Sequence, residues 1–242
     1  MEAAPVRTTD EYLLALAAEL DQATAEEAFS RVWRFDFSRL GFCLLDLGAG
    51  MDSSAFRSRM LALKEQLSDV SARRIGKSFG YLSMGRFDQQ ETTKFHLDGA
   101  ADESLLLLGY EPSAVRSRIF LADYSRCAFD LGMEPRKFLS DFNPMYGRGD
   151  ELLARYVTDL PPPAEAHWHI LLVNNSSLSF TNDRTRPLGV MHKAEILNPT
   201  DRERRIVNSI MLTTAGCDEV SREQQVEFVT ATTNTSPMVR PR

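Results

Sequence analysis

A change of texture near residue 78 does most to restrict what this chain can fold into. Before it, apolar residues recur at helical spacing. After it, short apolar runs alternate with turn residues, at 91–97, 104–109, 117–124, 167–175, 189–197 and 205–214. Each run has the length of a strand, and a strand buries its apolar side only against a second sheet or a layer of helices. The expected class is mainly β with N-terminal helices (α+β), a barrel or sandwich buttressed by helices.

The N-terminal helices have local signals. Thr8 and Glu11 are spaced as a capping box ahead of Leu13, Leu16 and Leu20, and Thr24 with Glu27 repeats the pattern ahead of Ala28, Val32 and Trp33. The run FSRLGFCLLDLG (37–48) suits a strand ending at glycine. Asp52-Ser53-Ser54 then opens a helix whose Phe56, Met60, Leu63, Leu67 and Val70 form one packing stripe. An insertion at 125–166 holds the turn NPMYGRGD, a short helix within 150–158 and the stiff connector PPPAEA. No repeat or low-complexity tract marks a boundary, so 1–242 reads as one domain: helical support over 1–77, barrel over 78–216, and a polar, mobile tail over 217–242.

Composition excludes some functions. The net charge of −6 and a pI near 5.3, without a long basic stripe, argue against a nucleic-acid partner. Cys43, Cys127 and Cys217 form no CxxC pair and sit among apolar residues. Buried free thiols in a reducing cytoplasm are expected, not a zinc knuckle or a disulfide framework. No basic-then-apolar leader opens the sequence, and no apolar run approaches the ~18 residues of a membrane span. A cytoplasmic protein without a membrane partner follows.

Three elements carry candidate chemistry. In TTKFHLDGA (92–100), His96 and Asp98 are two apart, so on an extended chain they project to one side and can share a metal ion. In GVMHKAEIL (189–197), Val190, His192, Ala194 and Ile196 alternate with Met191, Lys193 and Glu195, which turns His192 toward the buried face. A buried histidine needs a partner, and a metal is one. Arg204 and Arg205 then open RRIVNSIML, where an inward guanidinium can clamp a carboxylate.

An HxD pair, a distant histidine and an arginine some ten residues further on resemble the iron(II)/2-oxoglutarate-dependent dioxygenases, from about Phe79 to Ala215. The resemblance implies a double-stranded β-helix (jelly-roll) barrel, with His96, Asp98 and His192 holding Fe(II) and Arg205 binding the far carboxylate of 2-oxoglutarate. Two imidazoles and one carboxylate take one face of an octahedral iron, leaving positions for 2-oxoglutarate and O2. It also implies hydroxylation of a small-molecule substrate, a metabolite or amino-acid-like compound, with conversion of 2-oxoglutarate to succinate and CO2. Related halogenases leave the Asp98 position open for halide; a carboxylate there points instead to hydroxylation, desaturation or demethylation. The family's R-x-S pair is absent, since Val207 follows Arg205 by two and the serine is Ser209. A one-residue shift of register would turn Arg204 inward instead, and Ser209 is a further candidate for the cosubstrate pocket.

Two alternatives stand beside this. His167 and His169 form an HxH pair and PLGVMH (187–192) resembles half of a cupin motif, so a cupin-type metalloenzyme would use His167, His169 and His192 without 2-oxoglutarate. A non-catalytic ligand-binding barrel would hold no metal. Tyr81, Arg86, Gln89 and Gln90, with the polar loop 174–189, are expected near the mouth, and Trp168 in the core.

Overall fold

The computed structural model describes residues 9–15, 20–99, 101–145, 149–162, 164–180, 186–214 and 219–233. The chain begins with β1 (Leu13–Ala15), α1 (Gln22–Val32), β2 (Phe42–Asp46) and α2 (Ser53–Ile75), followed by β3 (Gly80–Asp88), β4 (Ser104–Tyr110) and β5 (Ser117–Ala122). The insertion holds α3 (Tyr124–Asp130), α4 (Pro135–Phe142), α5 (Gly149–Leu153) and β6 (Val157–Leu160). Last come β7 (His169–Asn174), β8 (Met191–Ile196), β9 (Ile206–Thr213) and α6 (Arg222–Thr230).

The strands form two sheets, one of order β1-β2-β7-β4-β9-β3 and one of order β6-β5-β8. All pairings are antiparallel except β1 with β2. The alternation of strand side chains explains the layers. From the large sheet, Leu44, Leu106, Leu108, Leu171, Val173, Val207 and Met211 meet Ile119, Leu121 and Leu160 of the small sheet in one buried cluster. The intervening Cys43, Leu45, Leu105, Leu107, Ile170, Leu172, Ile210 and Leu212 point outward onto α1, α2 and α6. On the outer side of the small sheet, Ala122 and Met191 pack with Tyr124 and Cys127 of α3, Phe138 of α4 and Leu153 of α5. The result is a mixed α/β architecture with a large sheet, compatible with a jelly roll.

The expected α2 forms with its stripe inward: Asp52 accepts from the Ala55 amide, Gly76 ends the helix at φ 70°, and Phe56, Met60, Leu63, Leu67 and Val70 are fully buried. Helix and sheet approach closely at Gly109. A Cβ there would overlap Met60 Sδ and stand 2.8 Å from Phe56 Cε1. Gly109→Ala should therefore cost about 1–3 kcal/mol of stability in a denaturant titration, since Met60 must move to admit it.

Five expectations change. The helix expected after Thr8 gives way to a 3-10 turn (Thr9–Glu11) and β1, because Leu13, Leu14 and Ala15 pair with Leu44, Leu45 and Asp46. Long-range pairing of this kind leaves no periodic signature. The strand expected at 91–97 is not regular. Thr93 donates its amide to the Ala194 carbonyl, and the Thr92 and Thr93 hydroxyls accept the Ile196 and Ala194 amides, so side chains replace part of the ladder and only His96 bridges His192. The strand β3 lies in a segment where no strand was expected. The short helix within 150–158 ends at Leu153, and β6 follows a 3-10 turn. The tail holds α6, built on a capping box between Ser221 and Gln224, with Phe228 buried against the helical layer; the end of the tail, 234–242, lies outside the described residues. Cys43 and Cys127 are buried free thiols as expected, and Cys217 lies outside the described residues. Among the described residues no helix is long and apolar enough to cross a membrane.

Candidate metal centre and anion pocket

His96 and Asp98 leave the irregular segment beside β8, and His192 is the second residue of β8. Reciprocal amide–carbonyl bonds of 3.1 Å between His96 and His192 bring the rings to a centroid distance of 4.3 Å. Asp98 is fixed by the side chain of buried Asn175, whose Oδ1 accepts the Asp98 amide and whose Nδ2 donates to the Asp98 carbonyl, each at 3.0 Å. One donor atom from each of His96, Asp98 and His192 lies within 4.8 Å of the others.

The protons show what this cluster needs. His96 Nδ1 lies 2.7 Å from the Lys94 carbonyl, which only accepts, so Nδ1 carries the hydrogen. The lone pair of neutral His96 is then on Nε2, 3.4 Å from Asp98 Oδ1. Two lone pairs at this distance repel unless a cation lies between them. Burial lowers the His96 pKa, but the Asp98 hydrogen bond and charge outweigh it and the net shift is upward. Asp98 is lowered, as its histidine contacts outweigh its own burial. His192 is pushed down to about 4 by burial and by His96, so it is neutral near pH 7, and its buried Nδ1 has no hydrogen-bond partner. An imidazole held through one nitrogen by a backbone carbonyl, with a carboxylate and a neutral buried imidazole beside it, is a donor set suited to a divalent transition metal.

A pH dependence follows. His96 holds its proton to a pH above the ordinary ~6.5 and must release it to a metal, whereas His192 competes only near its own low pKa. The affinity for a divalent metal should fall by up to about tenfold per unit as pH drops from 7 to 5, measured by anaerobic titration at fixed ionic strength.

Arg205 enters the same interior from the other end of the sheets. It is 4% exposed, its Nε donates to Ser117 Oγ at 2.9 Å, another nitrogen donates to Gln89 Oε1, and the guanidinium lies 5.0 Å from the Tyr110 ring centroid. Among the described residues no carboxylate forms an ion pair with this guanidinium. Burial pushes the Tyr110 hydroxyl up to about 12 against the pull of Arg205, and the charge of Asp98 adds to the rise, so Tyr110 stands neutral beside the arginine. Arg204 is exposed, with its carbonyl accepting from Ser113, so of the two arginines only Arg205 faces inward. Ser209 shares the interior face of β9 with Val207 and Met211 and is half-buried.

The second histidine pair lies elsewhere. His167 and His169 gather around Asp46 on β2 and β7, while His192 gathers with His96 and Asp98. The cupin-type set of His167, His169 and His192 is therefore not brought together.

No protein-family model matches this chain, and no curated protein matches it. A solved structure with some likeness is a variant of the iron and alpha-ketoglutarate-dependent endoperoxidase NvfI: 12% identity, 87% of this chain and 96% of that one covered, TM-score 0.34. At that level the likeness transfers neither substrate nor reaction.

Asn175, Tyr110 and Ser117 were missed in the sequence. Asn175 sits in the polar loop expected at the mouth, but nothing local distinguishes it from Asn174. Tyr110 was hidden as the end of an apolar strand. Two expected mouth residues face away instead. Tyr81 packs in the helical layer with the Lys64 ammonium 4.3 Å from its ring, and Arg86 pairs with Glu111 near the end of α6. Gln90 braces Asp88 and the 200–203 turn, and Trp168 packs on Phe56.

Proposed function

We propose that this chain is an iron(II)- and 2-oxoglutarate-dependent oxygenase, a hydroxylase of a small metabolite or amino-acid-like substrate, built as one domain on a double-stranded β-helix. One observation carries the proposal: Arg205 is a buried guanidinium whose side-chain partners are the neutral Ser117, Gln89 and Tyr110, in the same interior as a His-Asp-His cluster. The carboxylate of Asp88 accepts the Arg205 amide and offsets the guanidinium only in part, without forming an ion pair with it. A buried charge so placed is costly, and an anionic ligand supplies the rest. A ligand with a carboxylate at one end and a metal-chelating group at the other would engage both Arg205 and the cluster, and 2-oxoglutarate has both. Strand order supports the barrel reading. Taken in chain order from β3 through the His96 segment to β9, the strands fall to the large, small, large, small, small, large, small and large sheets, as in a jelly roll.

When bound, iron and 2-oxoglutarate supply the oxidising power: O2 and 2-oxoglutarate become succinate and CO2, with one oxygen atom delivered to a substrate C–H bond. The chain's own part is to hold and exclude. His96, Asp98 and His192 would hold the iron. Arg205, Ser117 and neutral Tyr110 would fix the far carboxylate, with Ser209 lining the pocket. The two apolar inner faces keep bulk water out.

The test is anaerobic titration of the apoprotein with iron(II) and then 2-oxoglutarate, read by the visible charge-transfer band of a chelated 2-oxo acid. Arg205→Ala should raise the 2-oxoglutarate concentration for half-saturation by roughly thirty-fold or more, and Arg204→Ala should leave it unchanged. Tight iron binding with no band would sink the proposal.

A further inference from the structure

The Asp46, His167 and His169 group lies on the large sheet, away from the cluster just described. Antiparallel pairing puts Asp46 of β2 directly across from His169 of β7, so both side chains leave the sheet on one face. His167 precedes His169 by two on extended backbone, held by the bond from the Trp168 amide to the Gly48 carbonyl, and the two rings stack at 6.1 Å and 27°.

The donor atoms converge on one point. His167 Nδ1 lies 2.9 and 3.0 Å from the two Asp46 oxygens, and His169 Nε2 lies 3.7 Å from Oδ1. Ligands bound at ~2.0–2.2 Å around one ion stand about 3–3.5 Å apart, so the spacing suits a shared metal. The Gly48 amide donates to Asp46 Oδ1 at 2.9 Å and sets the carboxylate in advance. His169 points the same way. It is 3% exposed, and its Nε2, the nitrogen that faces the carboxylate, is beyond hydrogen-bond distance of it. Buried imidazoles are ordinarily hydrogen-bonded or bound to metal, and nothing in the oxygenase proposal uses this one.

We infer that Asp46, His167 and His169 form a second metal site, for a divalent ion of the zinc(II) type. Two imidazoles and one carboxylate suit that class. The half-exposed His167 ring leaves the solvent side open for water to complete the coordination. An ion here ties β2 to β7 across the sheet, so its first effect is on stability. The site does not depend on the oxygenase proposal.

The test is equilibrium dialysis of the full chain against zinc(II) with metal analysis, on the wild type, His96→Ala, His167→Ala and the double variant. His167 is chosen because its ring lies at the surface, and circular dichroism checks that each variant folds. The expected result is two zinc ions on the wild type, one on each single variant and none on the double. Zinc should raise the thermal midpoint of His96→Ala by a few degrees but not that of the double variant. One wild-type zinc lost in His167→Ala and kept in His96→Ala would support this site while removing the metal centre of the oxygenase proposal. Zinc content unaltered by His167→Ala would overturn the inference.

Discussion

Asp98→Ala should weaken iron(II) binding by more than about a hundred-fold while the protein stays folded, measured by anaerobic titration beside a denaturation curve. Loss of outer-shell partners alone typically costs 10–100-fold in metal affinity, and loss of the only anionic ligand should cost more. The remaining His96 and His192 are a neutral pair with no charge to offset that of the ion. Folding should survive, since the Asp98 side chain is about a third exposed and its backbone contacts to Asn175 do not use the carboxylate. Asn175→Ala makes the graded comparison. It leaves all three ligands but frees the segment that aims Asp98, so iron affinity should fall by about 10–100-fold. Equal affinity in Asp98→Ala and wild type would mean that iron binds elsewhere.

The grouping of His96, Asp98 and His192 was legible because metal-binding chemistry fixes residue types as well as spacing. His96 and Asp98 share a side in any extended segment, and the alternation around His192 turns it inward wherever that strand lies. Other features depended on distant partners. Arg204 and Arg205 were indistinguishable until the start of β9 was registered on β3 and β4. In β3 the register shifts between Tyr81 and Ser83, so Tyr81 faces the helices while Phe87 packs toward the inner cluster. A bulge of this kind interrupts the period of two that betrays a strand, so the segment was not among the expected strands. The capping box of α6 was present in the sequence as Ser221 and Gln224, but with Phe228 as its only buried residue the helix had no apolar stripe to confirm it. The pairing of Asp46 with the HxH histidines was invisible because those residues are more than a hundred positions apart.

The other large effect is expected far from any ligand. Asp123→Ala should cost about 3 kcal/mol or more, because it strands Arg34, whose side chain is 1% exposed, without its counter-charge. Arg34 donates to both Asp123 oxygens, at 2.5 and 2.7 Å, and to the carbonyls of Arg39 and Leu188 at 2.8 and 3.2 Å. One guanidinium thus joins the end of α1, the loop into β2, the cap of α3 and the entry to β8. Gly41 fits against it at φ 82°, where a Cβ would stand 2.8 Å from Arg34 Nε. Arg34→Ala should cost less than Asp123→Ala. Asp123 is about a quarter exposed and keeps the Arg126 amide as a donor, so solvent and the cap share its charge. Because Leu188 lies only four residues before His192, loosening this junction should also weaken metal binding without touching a ligand. A double-mutant cycle on Arg34 and Asp123, read by denaturation and by iron titration, separates the two effects. Coupling in stability but none in metal affinity would show that β8 is positioned by β5 and the His96 segment without this junction.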